Sequence, residues 1–319
     1  MFTPPSIAAL EARLGANNFR HRLRAERALL RPMRRFAESP RANAAKQVLS
    51  SPFIRLCFRL LGLHRRGYHQ FMNPRLVDHV VRLPNLPPAL EGLTILQLSD
   101  LHLDLDPGFV PALTKLLDGL AYDLAVITGD FRNLTAGPTE PTVAGTLALM
   151  QHLRAPVFAV TGNHDPLALV PPLEAAGVRF LLNEHVVWTR GGAALVMAGV
   201  DDAVYHEAHD LERAFAHAPK DVLRVLLSHS PALYREAPAY GVQLFLAGHT
   251  HGGQICLPGG HMLLTGVRCP RRYLRGSWTH EGLQGYTSPG TGACGVPLRF
   301  NSPAEITRHV FTREPASPA

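Results

Sequence analysis

The chain is expected to fold as an α/β protein in which two sheets pack face to face with helices outside. Three features point there. From about Arg82 onward, apolar runs of strand length alternate with segments of helix length, the pattern that βαβ units leave in a sequence. Glycine and proline, 27 of each in 319 residues, punctuate those segments as many short βα connections require. Apolar residues make up 46% of the chain, sufficient for one large domain with an appendage.

Residues 1–81 form the appendage, a basic helical region without a strand pattern, and residues 82–319 the main domain. Ile7–Leu14 and Phe19–Phe36 carry apolar residues at helical intervals, the second through Phe19, Leu23 and Leu30 and through Leu29, Met33 and Phe36. Pro32 is expected to end or kink that helix. Pro52–Leu63 follows, with Arg55 and Arg59 four residues apart on one face and apolar side chains over the rest. It is shorter than the ~20 apolar residues that span a bilayer. With His64-Arg65-Arg66 beside it, it reads as an interfacial helix drawn to an anionic membrane surface. Two other readings stand beside that one. The apolar face would serve equally as a cap on the main domain. Basic residues alone do not separate phospholipid from nucleic acid, although no nucleic-acid partner is expected.

Charge is concentrated in this region. Residues 1–70 hold thirteen Arg, one Lys and three Glu, a net +11, while the whole chain is +7 and the remainder therefore −4. A mildly acidic body suits a site of carboxylates around cations. No apolar stretch follows the first residues and no twin-Arg signal precedes one. The expected location is therefore cytoplasmic, peripheral on the inner face of the cytoplasmic membrane. Cys57, Cys256, Cys269 and Cys294 show no C-x-x-C spacing and read as reduced thiols.

In the main domain, strand Thr94–Ser99 leads to helix Gly108–Leu120, and strand Leu124–Thr128 to helix Pro141–Leu153. Strand Val157–Thr161 precedes helix Pro166–Ala176. A block of β structure follows at Arg179–Leu182, Val186–Thr189 and Ala194–Gly199, then helix His209–Ala216. Strand Arg224–Leu227, helix Pro231–Ala237 and strand Leu244–Ala247 complete the series, and the tail from Gln254 is rich in Gly and Pro with short β segments.

Five of these strands end in short polar motifs: Asp100-Leu101-His102, Gly129-Asp130, Gly162-Asn163-His164-Asp165, Ser228-His229 and Gly248-His249-Thr250-His251. Ligands of open α/β sheets gather outside the carboxyl ends of the strands. The five ends would therefore bring Asp, His and Asn side chains to one crevice, as ligands for two divalent metal ions. Two ions so placed neutralise negative charge on a substrate and clamp its attacking and leaving oxygens. One carboxylate must sit between them, and Asp130 on the central strand end is the candidate. A mixture of imidazole and oxygen donors suits Mn, Fe or Zn better than Mg, with Mn the first choice. Asp104 and Asp106 are read as caps of the loop that follows the first motif. Asp201 and Asp202 end another strand near the crevice without an assigned role.

The ordered set resembles the calcineurin-like metallophosphoesterase superfamily over roughly Leu83 to the C-terminus. It is similar to the branch of bacterial membrane-associated phosphodiesterases that carries S-D-L-H and G-H-T-H-G-G-Q, matched here by Ser99–His102 and Gly248–Gln254. The closing segment Gly290–Pro297-Leu298-Arg299 and Pro303–Ile306 fit the same branch. The resemblance implies a four-layer αββα sandwich. It also implies a first metal held by Asp100, His102, Asp130 and His251, and a second by Asp130, Asn163, His229 and His249. His164 is then the catalytic non-ligand, facing the leaving oxygen or the phosphoryl group, and Asp165 is expected to orient its imidazole.

The resembled branch points to a lipid-linked phosphodiester or pyrophosphate as substrate. The sharpest form of that expectation is hydrolysis of UDP-2,3-diacylglucosamine to lipid X and UMP, a lipid A step. A phosphodiesterase for soluble nucleotides or glycerophosphodiesters is the alternative. A non-catalytic scaffold, as in the retromer subunit of this fold, is a third reading, disfavoured because every ligand position and His164 are intact.

Overall fold

The structure, a computed structural model, describes residues 4–29, 52–263 and 265–314. Leu30, Pro32, Met33 and Phe36, and with them the expected kink, lie outside the described residues.

Two six-stranded sheets form the centre. The first runs β1 (Arg75–Leu83), β14 (Glu305–Arg313), β2 (Thr94–Leu98), β3 (Leu124–Thr128), β4 (Val157–Val160), β5 (Val178–Phe180). The second runs β12 (Gly276–His280), β13 (Leu283–Thr287), β9 (Leu244–Ala247), β8 (Leu223–Leu227), β7 (Ala193–Gly199), β6 (Glu184–Arg190). A short hairpin of β10 (Cys256–Leu257) and β11 (His261–Met262) stands apart.

The apolar runs are continuous because these strands are buried on both faces. β2 sends Ile95 into the layer between the sheets and Leu96 and Leu98 to the outer side; β3 divides Leu124 and Val126 from Ala125 and Ile127 in the same way. In β8, Val225 and Leu227 face the first sheet while Leu226 faces the opposite cover. The first sheet's outer face is covered by α1 (Pro4–Leu14), α2 (Ala16–Leu29), α4 (His64–Met72), α5 (Phe109–Leu117), α6 (Glu140–Met150) and α7 (Val170–Ala175). The second sheet is covered by α8 (Leu211–Ala214) and 3₁₀ turns at Pro231–Arg235 and Ala237–Tyr240. The result is a four-layer αββα sandwich.

Two parts of the appendage behave differently. Leu10, Leu14 and Phe19 are buried in the helical layer with Phe71, Phe109 and Leu113, and Arg13 pairs with Glu174 and Glu184. α1 and α2 therefore cap the main domain. α3 (Pro52–Leu60) instead rests one side, through Phe58, on Val296 and Leu298, and turns Phe53, Leu56 and Leu60 outward.

The strand β1 crosses residue 81 and pairs in parallel with β14 from Arg75↔Glu305 to Leu83↔Arg313. Asp78, His79 and Arg82 interrupt its apolar pattern, which is why no strand was expected there. Several expected helices are shorter. Pro166–Ala176 becomes a 3₁₀ turn at Leu167–Leu169 followed by α7, His209–Ala216 contracts to α8, and Pro231–Ala237 breaks at Glu236 into two 3₁₀ turns. In the first of the three, Pro171 and Pro172 remove donors from the i→i−4 ladder.

Candidate metal centre

β2, β3 and β4 are mutually parallel, as are β8 and β9, so five strand ends open on one edge of the sandwich. Asp100, His102, Asp130, His249 and His251 all adopt left-handed φ, between 44° and 71°. Such backbones cost of order 1–3 kcal/mol each and persist where the surroundings over-determine them. Here hydrogen bonds across the strand ends hold them: Asp100 and His102 donate N–H to the carbonyls of Gly129 and Asp130. Gly129 is required by close approach, since a Cβ there would lie 2.7 Å from His229 Nδ1.

The side chains converge in two groups that share one carboxylate. In the first, Asp100, His102, Asp130 and His251 place their ligand atoms within 4.8 Å of one another. His251 Nε2 lies 3.3 Å from Asp100 Oδ1 and 3.2 Å from His102 Nε2. In the second, Asp130, His229 and His249 meet the same criterion, and Asn163 Oδ1 stands 3.1 Å from His229 Nε2. Asp130 Oδ2 reaches both groups, 3.8 Å from His102 Nε2 and 3.3 Å from His229 Nε2.

Three imidazoles are oriented from behind. His102 Nδ1 lies 2.6 Å from the Arg132 carbonyl, His229 Nδ1 2.8 Å from that of Thr128, and His249 Nε2 3.0 Å from that of Gly266. A carbonyl only accepts, so each of those nitrogens carries the proton and the opposite nitrogen faces the centre as a donor atom for a cation. The inner nitrogens of His229 and His249 approach to 3.1 Å, close enough to share one cation. Burial holds His102 neutral, down at about 4. Burial also lifts Asp100 to about 6, helped by the charge of Asp130. Burial works to lower His229, yet the carboxylates of Asp130, Asp100 and Asp202 raise it to about 10. The field at the shared carboxylate therefore favours positive charge. The donor set fits two divalent ions.

His164 stands at the mouth. Its backbone N–H donates to Asp130 Oδ1 at 2.9 Å, and its Nδ1 donates to the Asn133 carbonyl at 2.6 Å. Nε2 is thereby turned toward Asp130 Oδ2, 3.9 Å away. Burial opposes its charge, but Asp130 and Cys294 raise it to about 10, the protonated form that a general acid requires. Divalent ions bound here would neutralise phosphoryl charge and activate the attacking water.

Asp165 does not orient that imidazole. Its carboxylate accepts from the backbone N–H groups of Asp130 (2.7 Å), Gly162 (2.9 Å) and Arg132 (3.2 Å). It fastens the second and third motifs to each other, and the orienting role falls to the carbonyl of Asn133. Asp104 accepts from the N–H groups of Asn133 and Leu134 instead of capping its own loop, whereas Asp106 accepts from Gly108 N–H ahead of α5.

Asp201 and Asp202 acquire roles. Asp201 is buried against Arg22 of α2, whose Nε donates to both carboxylate oxygens at 3.1 and 2.9 Å. Asp202 accepts from the N–H groups of Tyr205 and His206. Sequence reasoning missed Arg22, Asn133 and the contacts of Arg299, which donates to the carbonyls of Gly292 (2.6 Å) and His251 (3.1 Å). Of these only Arg299 lay in a motif of the resembled branch.

Two clusters of nitrogen and oxygen donors joined by one carboxylate, at the carboxyl ends of parallel strands, define a metal-dependent hydrolase of phosphate esters. Residues 93–253 match the calcineurin-like phosphoesterase family, and the chain belongs to that family, which uses divalent metals. It is 31% identical over 232 residues to the uncharacterized metallophosphoesterase YkoQ of Bacillus subtilis, covering 70% of this chain and 84% of that one. An uncharacterized metallophosphoesterase of Helicobacter pylori is 30% identical over 271 residues, 80% of this chain and 69% of the relative. The transmembrane protein with metallophosphoesterase domain of Bos taurus is 30% identical over 264 residues, 76% of this chain. The match spans 58% of that bovine protein's length.

Proposed function

We propose that this phosphoesterase hydrolyses a phosphodiester or pyrophosphate bond in a lipid-linked substrate at the inner face of the cytoplasmic membrane, with manganese as the working ion. The specific substrate proposed is UDP-2,3-diacylglucosamine, cleaved to lipid X and UMP. The observation that carries this reading is the outer face of α3. Phe53, Leu56, Leu60 and Leu61 are 62%, 52%, 78% and 69% exposed. Arg55, Arg59, Arg65 and Arg66 lie among and beside them, with no acidic residue between Pro52 and Arg66. Fully burying such apolar side chains is worth roughly 1.5–3 kcal/mol each, and each Arg near an anionic surface about 1 kcal/mol. Together they suffice for reversible surface attachment.

The helix is also coupled to the centre. Phe58 meets the Phe300 ring edge-on at 5.4 Å, Arg66 stacks on that ring at 4.6 Å, and the adjacent Arg299 donates to the carbonyl of His251. In this reading the substrate rests its acyl chains on α3 and turns its phosphate toward the metals. Among the described residues no helix is long and apolar enough to cross a membrane; the contact proposed is a surface one.

The test is manganese-supplemented turnover of UDP-2,3-diacylglucosamine in mixed micelles, with bis-p-nitrophenyl phosphate alongside and His164→Ala as the blank. Turnover of both substrates, lost in the variant, supports the assignment. Cleavage of the chromogenic diester alone removes the lipid substrate and favours soluble nucleotides or glycerophosphodiesters. Sedimentation with phosphatidylglycerol vesicles isolates the surface contact: wild type should pellet, and Leu56→Asp/Leu60→Asp should stay in solution.

A further inference from the structure

One side chain at the mouth has no part in the two donor groups. Cys294 sits in the loop after β13, with its Sγ 3.9 Å from His164 Nε2. The sulfur, His164 and His102 place their ligand atoms within 4.8 Å of one another. The loop that carries the thiol is fastened on both sides. Cys294 N–H donates to Gln254 Oε1 at 2.8 Å, Gln254 Nε2 donates back to the Cys294 carbonyl at 2.9 Å, and Gly295 N–H donates to Asn133 Oδ1 at 2.8 Å. Asn133 is also the residue whose carbonyl holds the His164 ring. Thiol and imidazole are thus positioned by one shared support, and with Nδ1 donating to that carbonyl, the nitrogen that faces the sulfur is the one a metal can take once its proton leaves.

We propose that Cys294 and His164 form a soft cation subsite beside the two metals, selective for thiophilic divalent ions of the zinc class, and that its occupation arrests turnover. In tetrahedral coordination, zinc bonds of about 2.3 Å to sulfur and 2.0–2.1 Å to nitrogen set those atoms about 3.6 Å apart. The observed separation needs to close by only a few tenths of an ångström. Binding releases two protons to solvent, one from the Cys294 thiol and one from His164 Nε2, and the cation takes up the lone pairs so freed. The Nε2 of His102 has one lone pair and serves one ion at a time. With the first metal in place, the soft ion keeps Cys294 and His164 and completes its shell with water; without it, His102 becomes a third ligand. Manganese prefers oxygen and imidazole donors over thiolate, so it does not compete there. His164 is then lost as a proton donor while the catalytic ions remain.

The subsite stands on its own ligands; its effect on turnover rests on the phosphoesterase reading. Manganese-loaded protein is titrated with cadmium, and the thiolate-to-cadmium charge-transfer absorbance is followed in wild type, Cys294→Ser and His164→Ala. The expected result is a saturable band in wild type that is lost in Cys294→Ser, with cadmium affinity lowered about tenfold or more in His164→Ala. In parallel, the zinc concentration that halves turnover, taken relative to each protein's own zinc-free rate, should rise about tenfold or more in Cys294→Ser. A band of equal size in Cys294→Ser, or equal cadmium affinity in His164→Ala, overturns the subsite. An equal zinc response in Cys294→Ser overturns the inhibitory role. A preparation that cleaves no phosphodiester before zinc is added contradicts the proposed function instead, and the cadmium band still decides the subsite.

Discussion

Replacing Arg22 with alanine should destabilise the protein and disturb its centre, although the residue lies in the N-terminal appendage. Arg22 is completely buried. Its Nε donates to both oxygens of Asp201, its Nη1 pairs with Glu26 at 2.7 Å and its Nη2 donates to the Asp165 carbonyl at 2.8 Å. Asp201 in turn accepts from Thr161 Oγ1 at 2.6 Å, and Glu26 from Leu167 N–H at 2.8 Å. The guanidinium thus grips the segment from Thr161 to Leu167 at its start, middle and end, and Asn163 and His164 lie within it. Arg22→Ala leaves Asp201 buried with no cation beside it, and breaking a buried pair on one side costs about 3–5 kcal/mol. Against a total stability of roughly 5–15 kcal/mol that is a large share. At about 2–4 °C per kcal/mol for a domain of this size, Tm should fall by roughly 6–20 °C. Calorimetry gives the Tm, urea titration the free energy, and steady-state kinetics on bis-p-nitrophenyl phosphate should show kcat reduced more than KM is raised. Arg22→Met/Asp201→Asn, which removes both charges, should recover most of the stability. A loss below about 1 kcal/mol in Arg22→Ala, or no recovery in the double variant, would refute this account of the strut.

Three other outcomes are expected. His164→Ala should lower kcat by about 10²–10⁴ while metal content by elemental analysis stays at the wild-type level, since its imidazole belongs to neither donor group joined at Asp130. Chelation should abolish turnover and lower Tm, and returning manganese at about 100 times its Kd should restore about 2.7 kcal/mol; a chelated protein with unchanged Tm would contradict the donor convergence. Stability should also fall as pH drops from 6.5 to about 4, because burial holds His79 down at about 4 in the fold, against 6.5 for the free group. Over that interval the unfolded chain takes up a proton that the folded chain refuses, so stability is complete above 6.5 and lost toward 4. His309, buried beside it, is lowered in the same sense. Urea titrations of His79→Gln should show a shallower acid slope than wild type.

Much of the fold was legible because β2, β3, β4, β8 and β9 are buried on both faces and therefore appear as unbroken apolar runs. β1 was not, because it lies at the sheet edge, where Asp78 pairs with Arg308 of β14 and polar residues break the run. The helix at Pro166–Ala176 was overcalled where apolar content was weighed above Pro171 and Pro172. In the centre, the candidate ligands were legible because each lies directly after a strand, in a motif of two to four residues. Their supports were not. Asp165 acts on amides as far as 35 residues away, and Asn133 reaches His164 across 31.

By itself the sequence determined which candidate ligand side chains stand at the strand ends. Metal ligation needs particular side chains at strand ends, and both strand runs and ligand motifs are local patterns. Only the tertiary structure decided what holds those side chains in place: Arg22 of the appendage against Asp201, Asn133 rather than Asp165 behind His164, and Cys294 at the mouth. Each of those contacts joins residues more than thirty positions apart. No period or spacing along the chain encodes such a contact; it exists only once the sheets have packed.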